Sequence, residues 1–125
     1  MGKKANTELA IANKARVAAQ LRELAEQIEA GTISHYQFTQ DENSVQFTAD
    51  SADGKQRIIK HQNSIPGLQR EQTEYVQKQN PVQRRKVVKQ LVSEGMKQTE
   101  IAKRTMTSQK TISNDIKVLK EKGRL

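Results

Sequence analysis

The sequence predicts an α+β chain. It reads as an N-terminal helix with a small antiparallel sheet, followed by a tri-helical helix-turn-helix without a C-terminal wing. Three observations predict this. Apolar residues recur at helical spacing through the first thirty positions and switch to period two between residues 33 and 60. From residue 81 the helical period returns, cut into short pieces by caps and glycines. Charge then separates the two parts. Residues 81–125 hold twelve Lys or Arg against four Asp or Glu, which accounts for the whole net charge of +8 and leaves residues 1–80 balanced. A neutral body joined to one cationic segment points to a polyanionic partner.

Composition bounds the rest. With 125 residues, 34% hydrophobic and 3% aromatic, the chain lacks material for one large core, and two small ones fit better. There is no Cys, so no disulfide and no thiolate metal site. The apolar run Leu9, Ala10, Ile11 and Ala12 is broken by Asn13 and Lys14. It is too short for a secretion signal or a membrane span, so a cytoplasmic protein with no membrane partner is expected.

A helix is expected over residues 7–30. Val17, Leu21, Leu24, Ala25 and Ile28 share one face, and Gly31 suits the left-handed position after its end. Tyr36 and Phe38, then Val45, Phe47 and Ala49, alternate with polar neighbours as half-buried strands do. Residues 40–43 supply the turn between them. Asp53 and Gly54 make a second turn, leading to a third short strand over residues 57–60. Residues 1–60 are therefore expected to fold as a unit whose open sheet edges suit a homodimer. Residues 61–80 are Gln-rich and read as a linker or as a connecting helix opened by Pro66, with Leu68, Tyr75 and Val76 as a thin stripe.

Residues 81–125 are the informative part. Asn80 before Pro81 is a helix start: Asn caps the end and Pro occupies the first helical position. Val87, Val88, Leu91 and Val92 form that helix's apolar side, and Gly95 stops it. A second helix covers residues 98–104 with Ile101 and Ala102 inward. Thr105, Met106 and Thr107 form a tight turn. Ser108 caps a third helix over residues 109–122, with Ile112, Ile116 and Leu119 inward and Gly123 at its end. Three helices with a short turn between the last two make a helix-turn-helix unit, whose final helix enters the major groove of DNA. Ala102 is small enough for the close crossing of its two paired helices.

The run Glu100-Ile101-Ala102-Lys103-Arg104, then Ser108 to Ile116, then Leu119 and Gly123, resembles the helix-turn-helix of bacterial transcriptional regulators of the DeoR type. That type's third helix follows a T-I-x-x-D-[LI]-x-x-L-x-x-x-G pattern. The resemblance spans about 35 residues of the C-terminal third. It departs at the turn, where the family's Gly is Met106 and the adjacent apolar position is Thr107. DeoR-type domains also carry a β-wing after the final Gly, and none is expected here. By this resemblance Ser108, Gln109, Lys110, Ser113, Asn114 and Lys117 face the groove. Gln109 and Asn114 can both donate and accept, as reading an adenine edge requires, and Lys110 can donate to guanine. Arg84, Arg85, Lys86, Lys97, Lys103 and Thr111 are the expected phosphate contacts, giving salt sensitivity rather than sequence preference.

Other residues carry no expected site. His35 and His61 lack metal-ligand spacing, and Asp50 and Asp53 are read as turn formers. No phosphate loop, nucleophile elbow or metalloenzyme motif occurs, and the four aromatics do not form an RNA-stacking signature. The expectation is a non-enzymatic, sequence-specific binder of double-stranded DNA, with no cofactor, metal or evident small-molecule ligand. It would serve as a small bacterial, plasmid or phage transcriptional regulator, or as an accessory protein in partition, replication or conjugation. A recombinase's DNA-binding end lacks support, because the first 80 residues offer no acidic triad or Ser/Arg cluster. A protein-interaction module is the remaining alternative, in which the basic face meets an acidic protein; competition by duplex DNA separates it from the rest.

Overall fold

A computed structural model describes the backbone of residues 2–125 and the side chains of residues 14–125. Helix α1 (Gly2–Glu29) leads into strands β1 (Ile33–Gln40), β2 (Ser44–Ser51), β3 (Gln56–Ile65) and β4 (Leu68–Gln77). Helices α2 (Pro81–Ser93), α3 (Gln98–Thr105) and α4 (Gln109–Glu121) follow. The chain divides into two compact units, one up to Tyr75 and one from Val76 onward. The mixed α+β class is as the periodicity predicts.

In the first unit each strand pairs with its sequence neighbour, in the order β1-β2-β3-β4. The antiparallel register sets Phe38 beside Phe47, Tyr36 beside Ala49, and Ala49 beside Ile58. These residues share one face of the sheet, because directly paired residues point the same way. Leu24 of α1 is buried on that face against Phe47 and Ala49, with Ile33, Phe38 and Ile58 packed around them. Lys60, beside Phe47 in the register, sets its ammonium 5.6 Å from the Phe47 ring centre. The end of α1 is closed as Gly31 predicts: its φ is +75°, and Thr32 N–H donates back to the Gln27 carbonyl at 3.1 Å. Of the predicted helix over residues 7–30, the side chains of residues 7–13 lie outside those described.

Residues 61–77 correct the sequence reading. They are neither linker nor helix. The third strand runs on to Ile65, and β4 returns from Leu68. Pro66 does not open a helix; it precedes Gly67, whose φ of +85° is what the third position of a Pro-Gly turn requires. The Gln and Glu of β4 favour helix by intrinsic propensity. Cross-strand hydrogen bonding overrides that preference, as it readily does at a sheet edge where most side chains stay in water. Asp50 is also reassigned. It lies in β2, not in a turn, and accepts two hydrogen bonds from its cross-strand neighbour Arg57, at 2.6 and 3.0 Å. Asp53 is the turn former, accepting from the Ser51 hydroxyl and from Lys55 N–H.

The second unit is built from caps and one small core. Asn80 Oδ1 accepts from Gln83 N–H at 2.9 Å and starts α2. Ser108 Oγ accepts from Thr111 N–H at 3.1 Å and starts α4. Val88, Ile101, Ala102, Ile112 and Leu119 form the core, with Leu91, Val92, Met96 and Ile116 packed against it. Burying the Val, Ile and Leu side chains of this core contributes about 1.5–3 kcal/mol each. Every helix of the unit supplies at least one core residue, so none of the three is held by local propensity alone.

Candidate nucleic-acid interface

The burial pattern of α4 divides it lengthwise. Ile112, Asp115 and Leu119 are buried, with Ile116 and Val118 half-buried beside them. Gln109, Lys110, Ser113, Asn114 and Lys117 are all exposed. At 100° per residue the two sets occupy opposite sides of the helix. Gln109, Ser113 and Lys117 lie in one row, Lys110 and Asn114 in the next, and exposed Lys120 stands one turn beyond Lys117 on the same side. The result is a polar face with both donors and acceptors and no acid within its first three turns.

The turn before α4 is tight. Thr107 N–H donates to the Ala102 carbonyl at 3.1 Å, and the Thr105 hydroxyl donates to the Ile101 carbonyl at 2.8 Å. Met106 takes φ +57° and ψ +40°, the only positive φ at a non-glycine among the described residues. The turn requires a left-handed residue there, the conformation that Gly takes at least cost. Ser108 and Thr111 share a contact at 3.0 Å between their hydroxyls. Thr111, a predicted phosphate contact, has its hydroxyl turned to this cap. Ser108, a predicted base reader, is exposed but holds the N–H of Thr111, so its oxygen serves the helix first.

Asp115 gives the unit its one buried charge. It is 1% exposed. Arg84 donates to it twice, at 2.7 and 2.9 Å, and Arg85 once, at 3.2 Å. Burial pushes the Asp115 carboxyl up, but the hydrogen bonds and charges of the two arginines outweigh burial and hold it below the ordinary carboxylate range. The same pair raises Arg84. Here the sequence reading changes: Arg84 was expected at a phosphate, yet its fork is committed to tying α2 to α4. Arg85, the more exposed of the two at 30% against 14%, keeps an edge toward water. Asp115 is thus a structural anchor that orients α4.

The remaining predicted phosphate contacts are placed differently from one another. Lys86 is exposed on α2 and Lys97 is exposed at the N-cap of α3. Lys103 lies 3.6 Å from Glu100, which Arg104 also binds at 2.9 Å. The Arg104 hydrogen bond leads in holding Glu100 below its usual range. Two of the unit's acids are therefore directed at its own cations.

α3 starts at Gln98, where the sequence places it. Unlike α2 and α4, it has no side-chain cap; Lys97 offers no acceptor there. A lysine thus stands where Ser, Thr, Asp or Asn is preferred. Its first turn carries the exposed Thr99 and the acid Glu100. In the first unit, exposed His35 contacts the Ser34 hydroxyl at 3.1 Å, and His61 is half-buried. No cluster of three or more His, Cys, Asp or Glu able to hold a metal occurs among the described residues, and no described helix is long and apolar enough to cross a membrane. No family model, curated protein or solved structure matches the chain.

Proposed function

We propose that the protein binds double-stranded DNA in a sequence-dependent way, with α4 in the major groove and α3 crossing the phosphate backbone. The observation that supports this most strongly is the division of α4. A buried side made of Ile112, Asp115 and Leu119 fixes its orientation, and the opposite side presents Gln109, Lys110, Ser113, Asn114 and Lys117 to solvent. A helix of this kind meets a groove with side chains that both donate and accept, which is what discrimination between base pairs requires. Lys86 and Lys97, both exposed, add the sequence-independent attraction. In this role the protein acts as a small transcriptional regulator, or as an accessory DNA-binding protein using the same chemistry elsewhere on the DNA.

Selection of preferred duplexes from a random pool, followed by titration, tests the reading. Lys110→Ala and Asn114→Ala are each expected to weaken the selected site by about 5- to 150-fold, the equivalent of about 1–3 kcal/mol, while random DNA loses much less. Equal losses on both duplexes would remove α4 from the reading role. The position of the footprint, at a promoter or at an origin or partition array, separates the regulator from the accessory protein.

A further inference from the structure

We propose that β1 is a dimerisation edge: two copies of the chain pair β1 to β1, antiparallel, and join their four-stranded sheets into one. The sheet order leaves β1 and β4 as its edges. The two differ in chemistry. β4 carries Arg70, Glu71 and Glu74, the charged residues that keep an edge from recruiting another strand. Glu71 is further engaged by Arg16 at 2.8 Å and by Gln62 at 3.1 Å. β1, with the sequence ISHYQFTQ, contains no Asp, Glu, Lys, Arg or Pro. Its one irregularity lies at Ser34, near its start, and His35 to Gln40 pair with β2 without interruption. Six residues thus present a regular row of backbone donors and acceptors with no guard.

Tyr36 points to the same occupant. It pairs with Ala49, so it lies on the face that Leu24 covers, yet it is 58% exposed. Antiparallel self-pairing requires a two-fold axis perpendicular to the sheet, which keeps both copies' helix-bearing faces on one side. Centred on Gln37, such pairing sets Tyr36 beside the partner's Phe38 and His35 beside the partner's Thr39, and no like charges meet. Cross-strand aromatic pairs of this kind stabilise a sheet. A second copy is therefore the occupant this edge suits. The use of the dimer, though not the strand pairing, rests on the DNA-binding reading: two copies carry two α4 helices to two half-sites.

Sedimentation equilibrium of the full chain, from about 1 to 100 μM, tests the edge. The expected mass rises from 14.1 kDa toward twice that value. Gln37→Lys sets lysine against lysine across the axis and is expected to weaken association at least tenfold. Gln37 is exposed, so the circular dichroism of the variant should match the parent. A parent monomeric at the highest concentration would overturn the proposal. So would a Gln37→Lys dimer of unchanged strength, or an edge that captures only a foreign extended peptide. The two readings fail separately. A dimer that ignores DNA leaves the edge standing, and a monomer that binds a single half-site leaves the DNA reading standing.

Discussion

Asp115 carries a full charge at 1% exposure, and it is tolerable there because Arg84 and Arg85 supply three hydrogen bonds. Removing the charge while keeping the shape leaves two arginines without their partner. Asp115→Asn is expected to cost about 3 kcal/mol of stability, measured by denaturant unfolding. The pH dependence follows from the direction of the shift. The folded carboxyl lies below the unfolded value of about 4, so its stabilisation is fully present above that value and is lost as pH falls through the folded one. Thermal melts from neutral pH downward should show an acid-side decline that is smaller in Asp115→Asn. An identical decline in both proteins would contradict this account. Glu100, also lowered, keeps part of the decline in either case.

Met106 is a second residue whose role is set by backbone geometry. Its left-handed conformation costs a side-chain-bearing residue about 1–2 kcal/mol, and glycine avoids that cost while losing about 0.4–1 kcal/mol through unfolded-state entropy. Met106→Gly is expected to raise stability by about 0.5–1 kcal/mol, read as a shift in the denaturation midpoint, whereas Met106→Val lowers it. A destabilised Met106→Gly would mean that the methionine side chain contributes packing worth more than the strain.

At the level of elements, the proposed DNA binding gives α4 two tasks that meet at Ser108. The residue caps the helix and also stands at the end expected to enter the groove. Ser108→Ala removes the cap, at about 1 kcal/mol. Ser108→Asp separates the tasks, because Asp caps as well as Ser and suits the positive end of the helix. That variant should keep its melting temperature and lose at least about tenfold in DNA affinity, roughly 1.4 kcal/mol, by setting a carboxylate against phosphate or base acceptors. Retained affinity would move the N-terminus of α4 away from the DNA.

For the molecule as a whole, charge decides how the proposed binding to DNA would respond to salt. Arg84 is unsuitable for testing this, because its removal also uncovers Asp115. Lys86 and Lys97 are exposed and clear of that anchor. The double variant Lys86→Ala with Lys97→Ala should reduce the slope of log affinity against log salt by about 2, close to one counterion per lost phosphate contact. The ratio between preferred and random duplexes should stay constant. A changed ratio would make one of the two lysines a base contact.

The helix-turn-helix was legible in the chain because its signals are local. Asn80 before Pro81, Ser108 before a helical period, and Gly95 and Gly123 after one act within a single turn of backbone. Periodicity likewise marked Ile101, Ile112 and Leu119 as core, and by exclusion marked the polar face of α4. Residues 61–77 were not legible, because a polar edge strand has little period of its own and depends on a neighbour's hydrogen bonds. The fate of each charge was equally hidden: Arg84 and Lys86 stand two positions apart in the sequence, yet one binds a buried carboxylate 31 residues away and the other faces water. Helix ends and apolar stripes are settled by near neighbours along the chain. Strand partners, ion pairs and the exposure of an edge are settled by residues that only folding brings within reach.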